Sequence, residues 1–346
     1  MQTSPRYSVL VPAHDEEAVL DECHRRLKEV MDSTGEPYEI VFIDDGSRDR
    51  TGEMLRALAA VDPSVKVIGF SRNFGHQIAI SAGMDHASGD AVVVIDADLQ
   101  DPPAVILQMI AKWKEGYDVV HGRRAERQGE TAFKKATAFL FYRILRSLTE
   151  VDIPPDVGDF RLIDRKVCDV MARIRERNRF VRGIISWIGF RQTTVSYVRE
   201  RRFAGETKYP LSKMLRFAFD AILGFSYRPL KLASYLGLVT SLGGFLYLAY
   251  VVYLKYFTDR TVQGWTSIIA MNLIFNGIVL LLLGIMGEYI GRIYDESKAR
   301  PFYVVREVLG FEPGAHGDGA EPLPRAPRPP GEAWRPGDGR RPGVFR

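Results

Sequence analysis

The most informative stretch of the sequence is Asp90-Ala91-Val92-Val93-Val94-Ile95-Asp96-Ala97-Asp98-Leu99-Gln100-Asp101-Pro102-Pro103. In it, a β-branched apolar run ends abruptly in carboxylates and two prolines. Such a run is typical of a strand buried on both faces, as in a parallel sheet. Side chains alternate along a strand, so Asp96 and Asp98 point to the same side at its carboxyl end. Ligands of open α/β sheets bind there, and Mg²⁺ is commonly held by one or two carboxylates plus substrate phosphates. The stretch predicts a metal-diphosphate site, although a solvated Asp-X-Asp pair would look the same.

Strand and helix patterns alternate on both sides of this stretch. The predicted strands are 8–11, 38–43, 65–70, 91–95 and 119–120, and the predicted helices are 16–31, 51–60, 77–86 and 103–114. This alternation specifies an α/β domain with a doubly wound, mainly parallel, Rossmann-like sheet. Because parallel strands present their carboxyl ends on one edge, the polar residues that follow them should cluster. Asp44 and Asp45 follow the second strand and face opposite ways, so one can reach a ligand while the other supports the turn.

Composition limits the class of protein and its compartment. The 346-residue chain has a net charge of +4, and no Lys/Arg run is interleaved with aromatic residues, so we expect no nucleic-acid partner. Its two cysteines form no disulfide framework and have no metal-ligand spacing, as in a reducing compartment. The N-terminus leads directly into the first predicted strand without an apolar signal region, so we expect the first domain in the cytoplasm.

Two uncharged stretches near the C-terminus predict a membrane hairpin. Residues 232–254 and 261–287 contain no charged side chain, and each can cross about 30 Å of hydrocarbon as a helix. We predict spans at about 232–254 and 263–287. Basic residues flank the outer ends of the pair more densely than the connector, so both chain ends are expected in the cytoplasm: Arg228, Lys231, Arg292, Lys298 and Arg300 against Lys255 and Arg260.

The predicted organisation is a catalytic domain at 1–228, a hairpin at 229–292 and a cytoplasmic segment at 293–346. Residues 288–306 are charged and compatible with a helix. From about 312 the chain is rich in Pro, Gly and Arg without periodicity, which predicts disorder. Residues 131–148 have helical apolar spacing with Lys and Arg around it, so this helix either lies in the membrane interface or packs on the core. Residues 211–225 form a second amphipathic stretch.

Four motifs in order carry a family resemblance. They are Val11-Pro12-Ala13 with Glu16, Asp44-Asp45-Gly46-Ser47, Asn73-Phe74-Gly75, and the stretch from Asp96 to Pro103. With the two spans, the sequence resembles family 2 glycosyltransferases of the GT-A fold, and more narrowly the polyprenyl-phosphate glycosyltransferases, which include bactoprenol glucosyltransferases and dolichol-phosphate mannose synthases. The resemblance covers about residues 7 to 300.

The resemblance implies roles for residues on the donor side. Pro12, Glu16 and Asp45 would hold the nucleotide base and ribose, and Asp96 would lie at the ribose and diphosphate. Asp98 and Gln100 would coordinate Mg²⁺ or Mn²⁺. The sequence departs from the family at His14 and Asp15, where Tyr and Asn are more common, and His14 would replace the Tyr that stacks on the uracil.

On the acceptor side, the resemblance singles out the segment Gly158-Asp159-Phe160-Arg161-Leu162-Ile163-Asp164. Asp159 would be the catalytic base or would orient the acceptor. Since a phosphate monoester has a second pKa near 6, it needs little deprotonation at neutral pH, which favours orientation. Arg123 would lie near the metal-diphosphate, and Arg202 and Lys208 at the acceptor phosphate and diphosphate.

The expected function is metal-dependent, inverting transfer of a sugar, with UDP-glucose as the first candidate donor, to polyprenyl phosphate at the cytoplasmic face of a bacterial inner membrane. The product would be a polyprenyl-phosphate β-sugar. Two alternatives stay open: a processive polysaccharide synthase, although the chain lacks a Gln-X-X-Arg-Trp segment, and a non-catalytic nucleotide-sugar-binding scaffold or transporter subunit. Gly243-Gly244 and the spacing of Gly284, Gly287 and Gly291 allow close helix packing within the hairpin or between subunits. We expect a homo-oligomer, for which a tetramer is one arrangement.

Overall fold

A computed structural model describes residues 4–125, 157–177, 179–200, 228–257 and 264–311. One eight-stranded sheet has the order β7-β5-β6-β4-β1-β2-β3-β8. The strands are β1 Tyr7–Ala13, β2 Tyr38–Asp44, β3 Val65–Phe70, β4 Ala91–Val94, β5 Val119–Arg124, β6 Val157–Asp164, β7 Gln192–Tyr197 and β8 Val305–Leu309. The helices are α1 Leu20–Asp32, α2 Thr51–Val61, α3 His76–His86, α4 Val105–Lys114, α5 Arg165–Arg173, α6 Val181–Ile188, α7 Arg228–Phe257 and α8 Trp265–Ser297.

The predicted parallel core is confirmed. β1 pairs in parallel with β2 and β4, and β2 with β3. Every residue of β1 and β4 is buried, because helices cover both faces of the sheet and build a separate apolar cluster on each. β4 therefore lies beside β1 near the centre of the sheet, and its carboxyl end carries the acidic residues of the stretch that opens the sequence analysis.

The sheet contains further strands that were not predicted from the sequence. β6 inserts between β4 and β5 and is antiparallel to both, and β7 is parallel to β5 on the outer edge.

The first helix starts at Leu20 rather than at residue 16. The intervening residues form turns because the backbone N–H groups of Glu16 and Glu17 donate to the side chains of Thr51 and Asp49 in the next loop.

Two long helices confirm the predicted hairpin segments. α7 and α8 contact each other, and Ala233–Leu254 and Met271–Ser297 are long and apolar enough to cross a membrane by length and composition. The second helix continues ten residues beyond the predicted end at 287. Charged side chains occupy its last turns, where Arg292 Nη2 donates to Glu288 Oε1 (3.4 Å).

The chain after α8 returns to the catalytic sheet instead of continuing as the helix-compatible segment expected for 288–306. β8 pairs antiparallel with β3 at the edge of the sheet. The Tyr303 ring stacks on Phe70 with centroids 5.1 Å apart, and Arg306 Nη2 donates to Asp44 Oδ2 (3.2 Å). Residues 305–309, which the predicted domain division placed outside the catalytic domain, are therefore part of its sheet.

Several predictions fall outside the described residues. These are the amphipathic segments at 131–148 and 211–225, the acceptor residues Arg202 and Lys208, and the tail beyond 312. They stay predictions from sequence.

Candidate active site

The acidic turn, residues 96–101, follows β4 directly. Asp98 is only 8% exposed, and its Oδ1 accepts the backbone N–H of Gln100 (3.1 Å). Leu99 has a φ of +58°, a left-handed conformation that is unfavourable for a branched residue and is concentrated at functional sites. From the other side, the Gln100 carbonyl accepts the N–H of Glu200 (2.9 Å) after β7. The turn that holds the predicted metal ligands is thus fixed from both sides.

The loops after β1 and β2 are joined side by side. The N–H of Asp15 donates to Ser47 Oγ (3.1 Å) and that of Glu16 to Thr51 Oγ1 (2.9 Å). Pro12 lies within β1, in register with Ile43 of β2. Two predicted nucleotide contacts, Pro12 and Glu16, thereby lie on one continuous edge of the sheet.

Three of the predicted donor acids influence one buried thiol. Cys23 on α1 is buried, and this burial together with the negative charges of Glu16, Asp98 and Asp96 raises the pKa of its thiol to about 12. The contacts of these acids with a donor stay predictions.

Asp45 holds the loop that follows β3. Its Oδ1 accepts the N–H of Phe74 (2.6 Å) and its Oδ2 that of Gly75 (2.9 Å). Burial raises the pKa of this carboxyl above its usual range, against the effect of the two N–H groups. The two adjacent acids were expected to divide their roles between a ligand and the turn. Asp44 does support its own turn, since its Oδ1 accepts the N–H of Ser47 (2.9 Å), whereas Asp45 holds the neighbouring loop. The contact of Asp45 with a nucleotide stays a prediction.

A substitution at Gly46 should separate these loops. Gly46 has a φ of +66°, and a Cβ atom there would lie 2.3 Å from the backbone carbon of Arg72. We expect Gly46→Ala to weaken UDP binding at least about tenfold, measured by calorimetry, because the loop after β3 must shift. Gly35 is the matched control, since it has the same φ of +66° with nothing within 4 Å. Gly35→Ala should cost only the left-handed backbone strain of about 1–2 kcal/mol and leave UDP binding unchanged; equal losses of UDP binding in both variants would refute this role.

Asp159 on β6 is surrounded by donors from three elements, which we call the Asp159 cluster: His76, Gln77, Asp159, Arg161 and Arg182. Its Oδ1 accepts from Arg161 Nη2 (2.9 Å) and Arg182 Nη2 (3.4 Å). Its Oδ2 accepts from Gln77 Nε2 (3.1 Å), and His76 Nε2 lies 3.3 Å away. Both carboxylate oxygens are therefore already engaged by cationic or amide groups.

These partners make Asp159 a weak base. Burial alone would raise its pKa, but the hydrogen bond from His76 and the charges of Arg161 and Arg182 hold that pKa well below the usual range of a carboxyl group. A carboxylate of this kind does not take up a proton near neutral pH. Of the two roles predicted for Asp159, the geometry favours orientation over general base catalysis.

His76 connects this cluster to the acidic turn. Its Nε2 lies 3.5 Å from Asp96 Oδ1 as well as 3.3 Å from Asp159 Oδ2. Burial opposes the charge on His76, but the two carboxylates outweigh it and raise the pKa of the imidazole to about 9. Burial likewise raises the pKa of Asp96 to about 6, opposed by His76 and increased by the neighbouring acids. His76 therefore contacts one acid predicted for the donor side and one predicted for the acceptor side.

Arg123 is placed differently from the expectation. It is exposed, and its Nη2 donates to Ser196 Oγ (3.2 Å) on β7 rather than to the acidic turn. The next residue, Arg124, interacts electrostatically with the acidic turn. Burial disfavours its charge, but the negative charge of Asp101 and a hydrogen bond with Tyr197 raise the pKa of Arg124. Tyr197 in turn donates to Asp101 Oδ1 (2.5 Å). A role for Arg123 at the diphosphate stays a prediction. On β5, the charge of Arg124 interacts with the carboxylates of Asp101 and Asp96.

Sequence reasoning gave no role to four members of these networks: His76, Gln77, Arg161 and Arg182. The first two follow β3, so their place at the carboxyl edge of the sheet was a usable signal. Arg161 lies two residues after Asp159 on one strand and so shares its side. Arg182 had no sequence signal, since only the packing of α6 against β6 brings it to Asp159.

The chain thus combines an acidic turn at the carboxyl edge of a mainly parallel sheet, where ligands of open α/β sheets bind, with two helices of membrane-spanning length. Residues 8–171 match the model of glycosyl transferase family 2, and residues 228–293 match the GtrB C-terminal hairpin. The chain belongs to glycosyltransferase family 2 and is an enzyme of that class.

Relatives cover nearly the whole chain. An uncharacterized glycosyltransferase of Bacillus subtilis (strain 168) is 62% identical over 89% of this chain and 95% of its own length. The bactoprenol glucosyl transferase of Shigella phage SfV is 40% identical over 87% of this chain and 98% of its own. Among solved structures, glucosyl-3-phosphoglycerate synthase from Mycobacterium tuberculosis in complex with Mn²⁺, UDP and phosphoglyceric acid is 20% identical, with a TM-score of 0.42, and covers 63% of this chain and 76% of that one.

Proposed function

We propose that this enzyme transfers glucose from UDP-glucose to a polyprenyl phosphate at the cytoplasmic face of the bacterial membrane. The observation that carries the proposal is the position of His76 Nε2, which lies 3.5 Å from Asp96 Oδ1 and 3.3 Å from Asp159 Oδ2. Asp96 is predicted for the donor side and Asp159 for the acceptor side, so this proximity supports a single site for both substrates. The relatives named bactoprenol glucosyl transferases, about 40% identical over most of the chain, support this donor and acceptor. The two membrane-length helices support an acceptor that resides in the bilayer.

The acidic turn fits a divalent cation. Asp96 Oδ1 is buried and accepts no hydrogen bond, and the turn offers oxygen atoms, the ligands that Mg²⁺ and Mn²⁺ prefer. Within the described residues no group of three or more His, Cys, Asp or Glu could hold a metal alone, as expected where substrate phosphates complete the coordination. Asp98 and Gln100 would hold the ion. When bound, it would neutralise charge on the departing diphosphate.

The residues of the chain supply binding and charge compensation. Pro12, Glu16 and Asp45 lie on the edge of the sheet that would receive the nucleoside, and the strained turn at Leu99 keeps Asp98 in place. The Asp159 cluster places fixed positive charge opposite the acidic turn. Such preorganised charge is commonly the largest contribution to transfer reactions of this type. Attack by the lipid phosphate from the face opposite the leaving group would invert the anomeric centre.

A donor and acceptor panel tests this function. Purified full-length protein in lipid nanodiscs receives undecaprenyl phosphate, Mg²⁺ and one radiolabelled donor at a time: UDP-glucose, UDP-galactose, UDP-N-acetylglucosamine or GDP-mannose. We expect organic-phase label with UDP-glucose at a rate at least about tenfold above the other donors. Label in a water-soluble polymer would indicate a polysaccharide synthase instead. UDP-glucose binding without transfer to any acceptor would indicate a scaffold.

A further inference from the structure

The Asp159 cluster contains more hydrogen-bond donors than acceptors in the part of the chain that the structure describes. Arg161, Arg182, His76 and Gln77 all direct side-chain nitrogen atoms at the carboxylate of Asp159. Arg161 Nη1 and Arg182 Nε are in addition buried and have no hydrogen-bond partner. A buried donor without an acceptor is costly, and an anion would supply the missing acceptor atoms.

The three cations differ in access. Arg161 is 1% exposed and also donates through Nη2 to the carbonyl of Gly158 (2.8 Å), so it is a fixed part of the strand. The Arg182 side chain is 18% exposed and that of His76 is 42% exposed. Only these two cations can reach a ligand while they remain in contact with Asp159.

Gln77 fixes the relative position of the two accessible cations. Its Nε2 donates to Asp159 Oδ2 (3.1 Å), and its Oε1 accepts the N–H of Val181 (3.1 Å). His76 precedes Gln77 at the start of α3, and Arg182 follows Val181 at the start of α6. One amide side chain thus ties together the two backbones that carry the cations, so the site is preorganised.

We propose that His76 and Arg182 bind the phosphate monoester of the acceptor, and that Asp159 is the positioning residue that holds both. This proposal rests on the proposed function and adds two residues to those expected from the family resemblance. An arginine fork and an imidazolium are suited to a phosphate dianion, since charge-assisted hydrogen bonds are the strong ones. Asp96, on the other side of His76, places this phosphate next to the donor.

The reaction balances without a general base. A phosphate monoester with a second pKa near 6 is mostly dianionic at neutral pH. One of its oxygens forms the new bond to the anomeric carbon, the bond from that carbon to the donor phosphate breaks, and its electron pair leaves with UDP. The acceptor loses one negative charge and UDP gains one. No proton moves, in agreement with an Asp159 that stays ionised.

Variants of the two cations test the proposal by a split between KM values. Arg182→Ala and His76→Gln should each raise the KM for polyprenyl phosphate about 10- to 100-fold, the loss expected for one charge-assisted hydrogen bond. The KM for UDP-glucose should stay within about twofold of the wild-type value. Arg182→Lys and His76→Lys should recover part of the acceptor affinity, because they keep a positive charge but lack the geometry of the arginine fork and the imidazole. If Arg182→Ala does not fold, Arg182→Gln against Arg182→Lys gives the same comparison.

The matched control is Arg25→Ala. Arg25 is an exposed arginine on α1 that, among the described residues, pairs with Glu22 and Glu29 of its own helix, and its loss should change neither KM. A direct binding measurement on the full-length protein uses farnesyl phosphate as the probe and farnesol as its neutral counterpart. The wild type should bind farnesyl phosphate more tightly, and the double variant His76→Gln/Arg182→Ala should bind both equally.

The outcomes separate this inference from the proposed function. A raised UDP-glucose KM, or a lower kcat with an unchanged acceptor KM, would overturn the acceptor site and assign the two cations to the donor. Failure of the wild-type protein to glucosylate polyprenyl phosphate would instead overturn the proposed function. That second result is visible before any variant is made.

Discussion

Asp98→Ala should reduce glucosyl transfer by at least about a thousandfold, because it removes the carboxylate expected to hold the divalent cation at the donor diphosphate. Asp98 is buried, and the next residue, Leu99, has the left-handed backbone of a strained turn. The variant should bind UDP-glucose weakly, and added Mg²⁺ or Mn²⁺ should no longer strengthen that binding. Calorimetry with and without the metal gives the measurement, and radiolabel transfer gives the rate.

The control for Asp98 is Asp90→Ala. Asp90 is an exposed carboxylate at the opposite end of β4, so its removal changes the net charge by the same amount without touching the site. We expect wild-type transfer and wild-type metal dependence. Retention of full transfer by Asp98→Ala would show that the metal assignment is wrong.

Asp159→Asn should damage both the fold and the reaction. Arg161 is 1% exposed and pairs with Asp159 Oδ1 at 2.9 Å. Removing one partner of a buried ion pair leaves an uncompensated charge, which typically costs about 3–5 kcal/mol. His76 and Arg182 would lose their common anchor, so acceptor affinity should fall as well. Thermal unfolding and the KM for polyprenyl phosphate, measured on the same preparation, check the two effects.

Asp164→Asn is the matched control for Asp159. Asp164 ends the same strand, accepts the N–H of Lys166 (3.0 Å) at the start of α5 and accepts from Trp113 Nε1 (2.7 Å). Because Asn caps a helix about as well as Asp, this substitution should change the free energy of unfolding by less than about 1 kcal/mol and leave the acceptor KM unchanged. An Asp159→Asn protein that unfolds at the wild-type temperature and keeps the wild-type acceptor KM would contradict the role given to this carboxylate.

The pH dependence separates orientation from general base catalysis. Since the pKa of Asp159 is held far below its usual range, Asp159 contributes stability that is fully present above the ordinary carboxyl pKa near 4. This contribution is lost only as the pH falls below that value. Deprotonation of Asp159 should therefore contribute nothing to the rate change that radiolabel transfer assays measure between pH 6 and 9.

The parallel half of the fold could be predicted from sequence because buried parallel strands are continuous apolar runs between helices. β4 and the acidic turn behind it followed from that rule alone. β6 was not predicted, since Asp159 and Arg161 interrupt its apolar pattern and it pairs antiparallel with both neighbours. β8 was missed because Arg306 and Glu307 give a short edge strand the appearance of a charged segment after a membrane helix.

Some residues of the candidate site could likewise be predicted from the sequence and others could not. Asp96, Asp98 and Gln100 could be proposed from sequence because one strand carries them to one edge of the sheet. The cations around Asp159 could not, because α3, β6 and α6 come together only through packing, and Arg182 lies 23 residues from its carboxylate partner. For Asp45, the position at the end of β2 could be predicted from the sequence. Its hydrogen bonds to the backbone N–H groups of Phe74 and Gly75 could not.

The most direct test of the central claim is the identity of the product made by purified enzyme from UDP-glucose, Mg²⁺ and undecaprenyl phosphate. Mass spectrometry and NMR of the organic phase should show one glucose per lipid, joined through a phosphodiester in the β configuration, with one UDP released per glucose transferred. An α-linked product, a polymer, or UDP released without a glucosylated lipid would contradict the account.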